Sequence, residues 1–231
     1  MDRNRWIVFG IICIALFGVL VLNKKSDSVN VDSIDPSKII TDSKGINDHV
    51  LGDKKSKVVL IEYGDFQCPG CGGLYPNLHP LTQYYKQNMA FVFRNFPLTS
   101  LHPNALAAAS AAESAGIQGK FWEYHNMLYE NQNAWSAQTA DKRTATFKKY
   151  AQRLELNTTT FEKDITNKKV SEKIDLDGAL GRKIGADSTP TLVLNGKKLV
   201  QNQWSTAQQL EDTLRTAIKD SGQALPEKLN K

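Results

Sequence analysis

Two apolar runs constrain the architecture most: KVVLIEY over 57–63 and MAFVFRNFP over 89–97. Both are continuous β-branched and aromatic runs rather than alternating ones, so each reads as a central strand buried on both faces. Between them, Leu74, Leu78, Leu81 and Tyr85 recur at helical spacing in a helix that begins after Cys68. Pro76 and Pro80 lie inside it and are able to kink it. Strand, helix, strand in this length makes a parallel βαβ unit, because parallel neighbours need a crossover.

The middle of the chain is helical. ALAAASAAESAG from Ala105 is a strong helix former that stops at Gly116. KFWEYHNMLYENQ, 120–132, is a second helix with Phe121, Tyr124 and Leu128 on one face. Segments 142–154, 158–166 and 170–184 read as further helices. β structure returns in TPTLVLNGKKLV, where strand 191–194, an Asn195-Gly196 turn and strand 198–200 form a hairpin. The last helix runs from Thr206 to Ser221, capped by Thr206, with Leu210, Leu214 and Ile218 inward. The tail GQALPEKLNK reads as frayed. The order is βαβ, helical insert, ββα.

The N-terminus forms a separate unit. After MDRNRW, the stretch Ile7 to Leu22 carries no charge, and with Trp6 it reaches the short end of what spans a bilayer. VLNKKSDS follows, with no small-x-small cleavage site, so an uncleaved anchor over 1–25 is favoured over a cleaved signal peptide. Cys13 sits mid-run after Ile-Ile, without a lipobox, and reads as a small hydrophobe. Residues 26–44 read as a spacer, opening with the polar stretch SDSVNVDSID. The net charge is +5, but bases and acids are interleaved, which describes a solvated surface rather than a nucleic-acid-binding one.

The chemistry centres on FQCPGCGG, 66–73. Cys68 and Cys71 fit three roles. As half a structural zinc site they lack companions: the third cysteine is in the anchor, and His49, His79, His102 and His125 form no close pair. As a purely structural disulfide they would close too short a loop to constrain the unfolded chain much. As a redox pair their context is favourable. Cys68 falls between strand and helix, where the helix dipole and free amides stabilise a thiolate, the attacking species in exchange. Chain order and exposure make Cys68 the nucleophile and Cys71, one turn further in, the resolver.

EYGDFQCPGC at 62–71, followed far downstream by STPTLVLNG at 188–196, resembles the thioredoxin superfamily and its DsbA-like thiol-disulfide oxidoreductases. The resemblance covers roughly 45–221. It implies an α/β thioredoxin fold over 45–100 and 186–221, a helical insertion over 101–185, and a tail from 222. It implies a cis-proline at Pro190 facing the cysteines, and backbone at Thr189 that binds incoming peptide like an added strand. Glu62 matches a buried acid beneath the site, with a raised pKa and the ability to take a proton from Cys71. Phe66, Gln67, Pro69 and Gly70 tune the pair. Many DsbA-like oxidases carry His after the proline, and Gly70 removes that source of thiolate stabilisation.

The expected activity is a membrane-anchored, extracytoplasmic dithiol oxidase that gives its disulfide to exported proteins with free thiols. Its redox group is the Cys68–Cys71 disulfide, with no metal or other cofactor. A membrane partner, quinone-linked in the family, would reoxidise it, and the chain is expected to be a monomer. A secreted form, a reductase or isomerase with the same site, and a Cu(I)-carrying or peptide-binding module are the alternatives. FWEYHNMLY reads as helix core, His102 as a residue bordering the first insert helix, and Asp65 as a turn residue.

Overall fold

The computed structural model describes residues 29–41 and 46–229. The anchor expected over 1–25 lies outside them; among the described residues no helix is long and apolar enough to cross a membrane.

The two buried runs form adjacent parallel strands, β2 (Val59–Gly64) and β3 (Ala90–Asn95), in register Leu60 to Phe91 and Glu62 to Phe93. Helix α1 (Pro69–Tyr84) makes the crossover and continues through both internal prolines, which lie on its exposed side. A strand not read from the sequence, β1 (His49–Gly52), pairs antiparallel with β3 at the edge. On the other side β4 (Thr191–Leu194) pairs antiparallel with β2 and turns through Asn195-Gly196, both at positive φ, into β5 (Lys197–Lys198). The sheet order is β1-β3-β2-β4-β5.

Between β3 and β4 the chain is helical: α2 (Ala105–Ile117), α3 (Phe121–Glu130), α4 (Gln132–Trp135), α5 (Ala140–Arg153), α6 (Thr158–Asp164) and α7 (Lys168–Lys183). Helix α8 (Ala207–Asp220) closes the fold. Thr206 Oγ1 accepts from Gln209 N–H at 3.2 Å and Gln209 Oε1 accepts from Thr206 N–H at 3.1 Å, a reciprocal cap. Leu210, Leu214 and Ile218 are fully buried against Leu60, Leu74, Leu78, Leu81 and Phe91. Each such side chain contributes about 1.5–3 kcal/mol by leaving water. Strand alternation therefore turns Glu62 toward the same face, under α1. A second core joins Phe66, Cys71 and Phe93 to the insert through Phe121, Tyr124, Leu128, Tyr129 and Trp135.

Two expectations change. Part of the spacer, 31–40, is held against the domain. Lys183 Nζ donates to the carbonyls of Val31, Asp32 and Ile34, while fully buried Arg94 donates to Pro36 O and Lys38 O at 2.6 Å each. A buried guanidinium needs acceptors for its five N–H groups, and the segment supplies two while Asp48 and the Tyr63 hydroxyl supply others. The tail is also tied down through 229. Glu211 Oε1 accepts from Tyr85 O–H and Leu229 N–H at 2.7 Å each, and Arg215 donates to Pro226 O at 2.6 Å.

Candidate active site

Cys68 is the N-cap of α1, with Pro69 in the first turn, where a missing N–H costs nothing. Both cysteines are free thiols, so the pair is in its dithiol form. The Cys68 thiol donates to Thr189 O at 3.3 Å. The Cys71 thiol hydrogen-bonds the Cys68 sulfur, and with help from the Thr189 side chain and the amides of Cys71 and Gly70 this lowers Cys68 from 9.0 to about 5 against the opposing effect of burial. Cys71, only 1% exposed, is pushed well above its ordinary value, first by burial and then by its bond to Cys68 and the charge of Glu62. Asp65 N–H donates to its sulfur at 3.5 Å. The two sulfurs are thus split: one favours thiolate at neutral pH, the other thiol.

The Thr189–Pro190 peptide is cis, and Pro190 lies across from the motif. A Cβ on Gly70 would stand 3.3 Å from Pro190 Cδ and 3.6 Å from the Cys68 sulfur. Any side chain at position 70 therefore packs over the nucleophile. Glu62 is 2% exposed, and burial, followed by the nearby Cys68 charge, raises its pKa from 4.5 to about 8. The structure thus gathers Cys68, Cys71, Gly70, Thr189 and Pro190 at one end of the sheet, with Glu62 beneath. Among the described residues no group of three or more His, Cys, Asp or Glu side chains is placed to hold a metal.

Three supports were not read from the sequence. Asp65 is a hub as well as a turn residue: Oδ1 accepts from Gln67 N–H at 2.8 Å, and Oδ2 accepts from Leu98 N–H at 2.9 Å and lies 2.7 Å from His102 Nδ1. His102 thus pairs with Asp65. Gln132 Nε2 donates to Phe66 O and Cys68 O at 2.8 Å each, pinning the motif to the insert. Gly72 leaves room for that approach, since a Cβ there would displace the Gln132 carboxamide from its place. Gln67 adds a second tie, donating to Ser136 O at 2.7 Å and accepting from Asn104 N–H at 2.6 Å. A glycine inside α1 was the one local signal of the Gln132 contact. The FWEYHNMLY segment is core, as expected: Phe121, Tyr124, His125, Leu128 and Tyr129 are all buried.

Residues 44–220 match the family model described as thioredoxin. A thioredoxin-like oxidoreductase from Silicibacter pomeroyi DSS-3 superposes with a TM-score of 0.60 at 25% identity, covering 74% of this chain and 92% of that one. Oxidised BdbD from Bacillus subtilis shares the fold at 22% identity and a TM-score of 0.64, again over 74% and 92%. In sequence, the Na(+)/H(+) antiporter NhaA 1 of Salinispora arenicola is 38% identical over 153 residues, which are 65% of this chain and 22% of that protein. The likeness to the antiporter thus concerns a minor part of its length.

Proposed function

We propose, from the premise that the chain belongs to the thioredoxin family, that it is an extracytoplasmic dithiol oxidase giving the Cys68–Cys71 disulfide to exported proteins. The observation that carries this reading is the split pair: Cys68 at a helix N-terminus with its pKa held near 5, and Cys71 buried behind it as a thiol.

In the reaction a client thiolate attacks Cys68 of the oxidised pair. The Cys68–Cys71 bond breaks, its electron pair leaves on Cys71, and Glu62 is the source of the proton that sulfur takes. The client's second thiolate then attacks its own sulfur in the mixed disulfide, and Cys68 leaves as thiolate. Two electrons pass from client to enzyme; one proton ends on Cys71 and the other in solvent. Thr189 and Pro190 hold the client backbone beside Cys68. Reoxidation by a membrane redox partner reverses the electron flow, with Glu62 taking the Cys71 proton back.

Stabilising the Cys68 thiolate stabilises the reduced form and makes the disulfide a stronger oxidant. At pH 7 a shift from 9.0 to about 5 is worth about 2.7 kcal/mol. Solvent screening at the rim of the site roughly halves it. Between these limits the gain is roughly 30–60 mV in reduction potential. The test is a refolding assay on a reduced client: Cys68→Ser is expected to abolish dithiol oxidation, and full activity in that variant would refute the assignment. The N-terminal anchor, the monomeric state and the extracytoplasmic location belong to the same proposal, supported by the apolar stretch Ile7 to Leu22 and by the oxidising compartment such chemistry needs.

A further inference from the structure

Helix α3 places two buried polar side chains behind the site: Tyr129 in the cluster that holds Cys71, and His125 on a cavity shared with Glu62. Among the described residues, His125 Nε2 and the Tyr129 hydroxyl are buried without a hydrogen-bond partner. They stand one turn apart, so they share a face of the helix. Their rings are 5.0 Å apart and both pack on Phe66 and Phe93.

Each orphan points to a particular neighbour. The charges closest to the Tyr129 hydroxyl are those of Cys71, Glu62 and Asp65, which with burial push its pKa well up. Cys71 and Tyr129 share one buried cluster, so the phenol stands beside the Cys71 sulfur, and it stays protonated. His125 Nδ1 is 3.0 Å from Asn126 Oδ1; that contact places the ring proton on Nδ1 and leaves Nε2 a bare acceptor. Burial lowers His125 to about 3, so the ring is neutral.

His125 and Glu62 line a common cavity of about 10 Å³, walled also by Tyr75, His79, Thr82 and Asn126. That is room for one water, given two or more polar partners. The Glu62 carboxyl has no protein hydrogen bond among the described residues. His79 and Asn126, partly exposed, form the outer wall. The other titratable groups around this space are Cys68, Cys71 and Asp65 on the motif side, with His49, His79 and Glu130 at its edges.

We propose that Tyr129 and His125, with one water, form the proton route that joins Cys71 and Glu62 to the surface. This rests on the exchange reading and adds to the same site a proton donor, Tyr129, and a positioning residue, His125. As the Cys68–Cys71 bond breaks and its electron pair leaves on Cys71, the Tyr129 O–H passes its proton to that sulfur. Tyr129 regains one from Glu62. The water, held by Nε2 of His125, returns a proton from solvent to Glu62. When Cys71 resolves a mixed disulfide, the same transfers run in reverse.

The test uses the reduced full chain in a Cys13→Ser background, mixed with the aromatic disulfide DTNB in a stopped-flow cell. The first thionitrobenzoate released reports bimolecular attack by Cys68. The second reports intramolecular attack by Cys71, the step that needs the proton route. Tyr129→Phe removes one hydroxyl and leaves the packing of the ring in place, so its melting temperature should stay within about 5 °C of the unsubstituted protein. It should leave the first phase within about twofold, slow the second at least about tenfold, and flatten the second phase's rise with pH. His125→Phe should behave likewise. If Tyr129→Phe leaves the second phase at the unsubstituted rate while Glu62→Gln slows it, the route is wrong and Glu62 keeps its role. If Glu62→Gln also leaves it unchanged, the proton role of Glu62 falls too. Loss of the first phase in Tyr129→Phe would show that the hydroxyl serves Cys68 instead, and would overturn the route.

Discussion

Glu62 should cost the fold stability, and the cost should depend on pH in a defined window. Its carboxyl is 2% exposed and titrates near 8 instead of 4.5, first because burial removes it from water and second because the Cys68 charge lies close. A raised folded-state pKa means that stability is fully present below pH 4.5 and is lost as pH rises through 8. At pH 7 the native carboxyl is mostly protonated while the unfolded one is ionised, a difference of about 3 kcal/mol against folding. Above pH 8 it approaches about 5 kcal/mol. Glu62→Gln keeps the shape and removes the titration. The reduced variant should therefore be about 3 kcal/mol more stable at pH 7, a rise of roughly 6–12 °C in melting temperature for a domain of this size. At pH 4 it should match the unsubstituted protein. Urea unfolding of both proteins at the two pH values makes the measurement. Equal stability at pH 7, or a gain that persists at pH 4, would refute the reasoning, since the latter would be packing and not ionisation. The same variant should slow every step that moves a proton on or off Cys71, so stability and activity oppose each other at this residue.

Other substitutions test the supports of the site. Gly72→Ala should displace the Gln132 carboxamide, break its bonds to Phe66 O and Cys68 O, and cost about 1–3 kcal/mol in thermal unfolding. Gly73→Ala, next in the same helix with no atom within 4 Å of its added Cβ, should stabilise by about 0.5–1 kcal/mol. Cys71→Ser should leave client mixed disulfides trapped on Cys68, seen as adducts on non-reducing gels; an absence of adducts would contradict the resolving role. Arg94→Met should leave the buried Asp48 carboxylate with only Lys173 Nζ at 3.4 Å and the Ile40 N–H as partners, cost up to about 3–5 kcal/mol by breaking the buried pair, and release residues 31–40 to limited proteolysis.

What could be read from the sequence was local. The buried strands, the helix between them and the Asn195-Gly196 hairpin each announce themselves within a dozen residues, through hydrophobic period or turn chemistry. The Cys68–Cys71 motif and Pro190 are short patterns whose spacing carries the fold, and Glu62 stands out because an acid ends an otherwise apolar strand. The rest depends on partners distant in the chain. Strand β1 has four residues and mixed polarity, so it exists only because β3 offers an edge. Asp65 meets His102, and Gln132 meets Cys68 O, across 37 and 64 positions. Both contacts are set by how the insert folds back on α1, which no local pattern encodes. Segment 31–40 and the tail looked loose because neither carries a helical or strand period; Arg94, Lys183, Glu211 and Arg215 hold them by backbone carbonyls and amides, which every sequence possesses.

The most direct test of the account is the equilibrium reduction potential of the Cys68–Cys71 pair, measured against glutathione at pH 7. Stabilisation of the Cys68 thiolate, worth roughly 30–60 mV, moves it above about −270 mV in the direction of the oxidising end of the thiol–disulfide scale, about −120 mV, where a protein gives disulfides away. A value near about −270 mV would mean that the disulfide is the stable form. It would contradict the oxidase reading and put a reductase in its place.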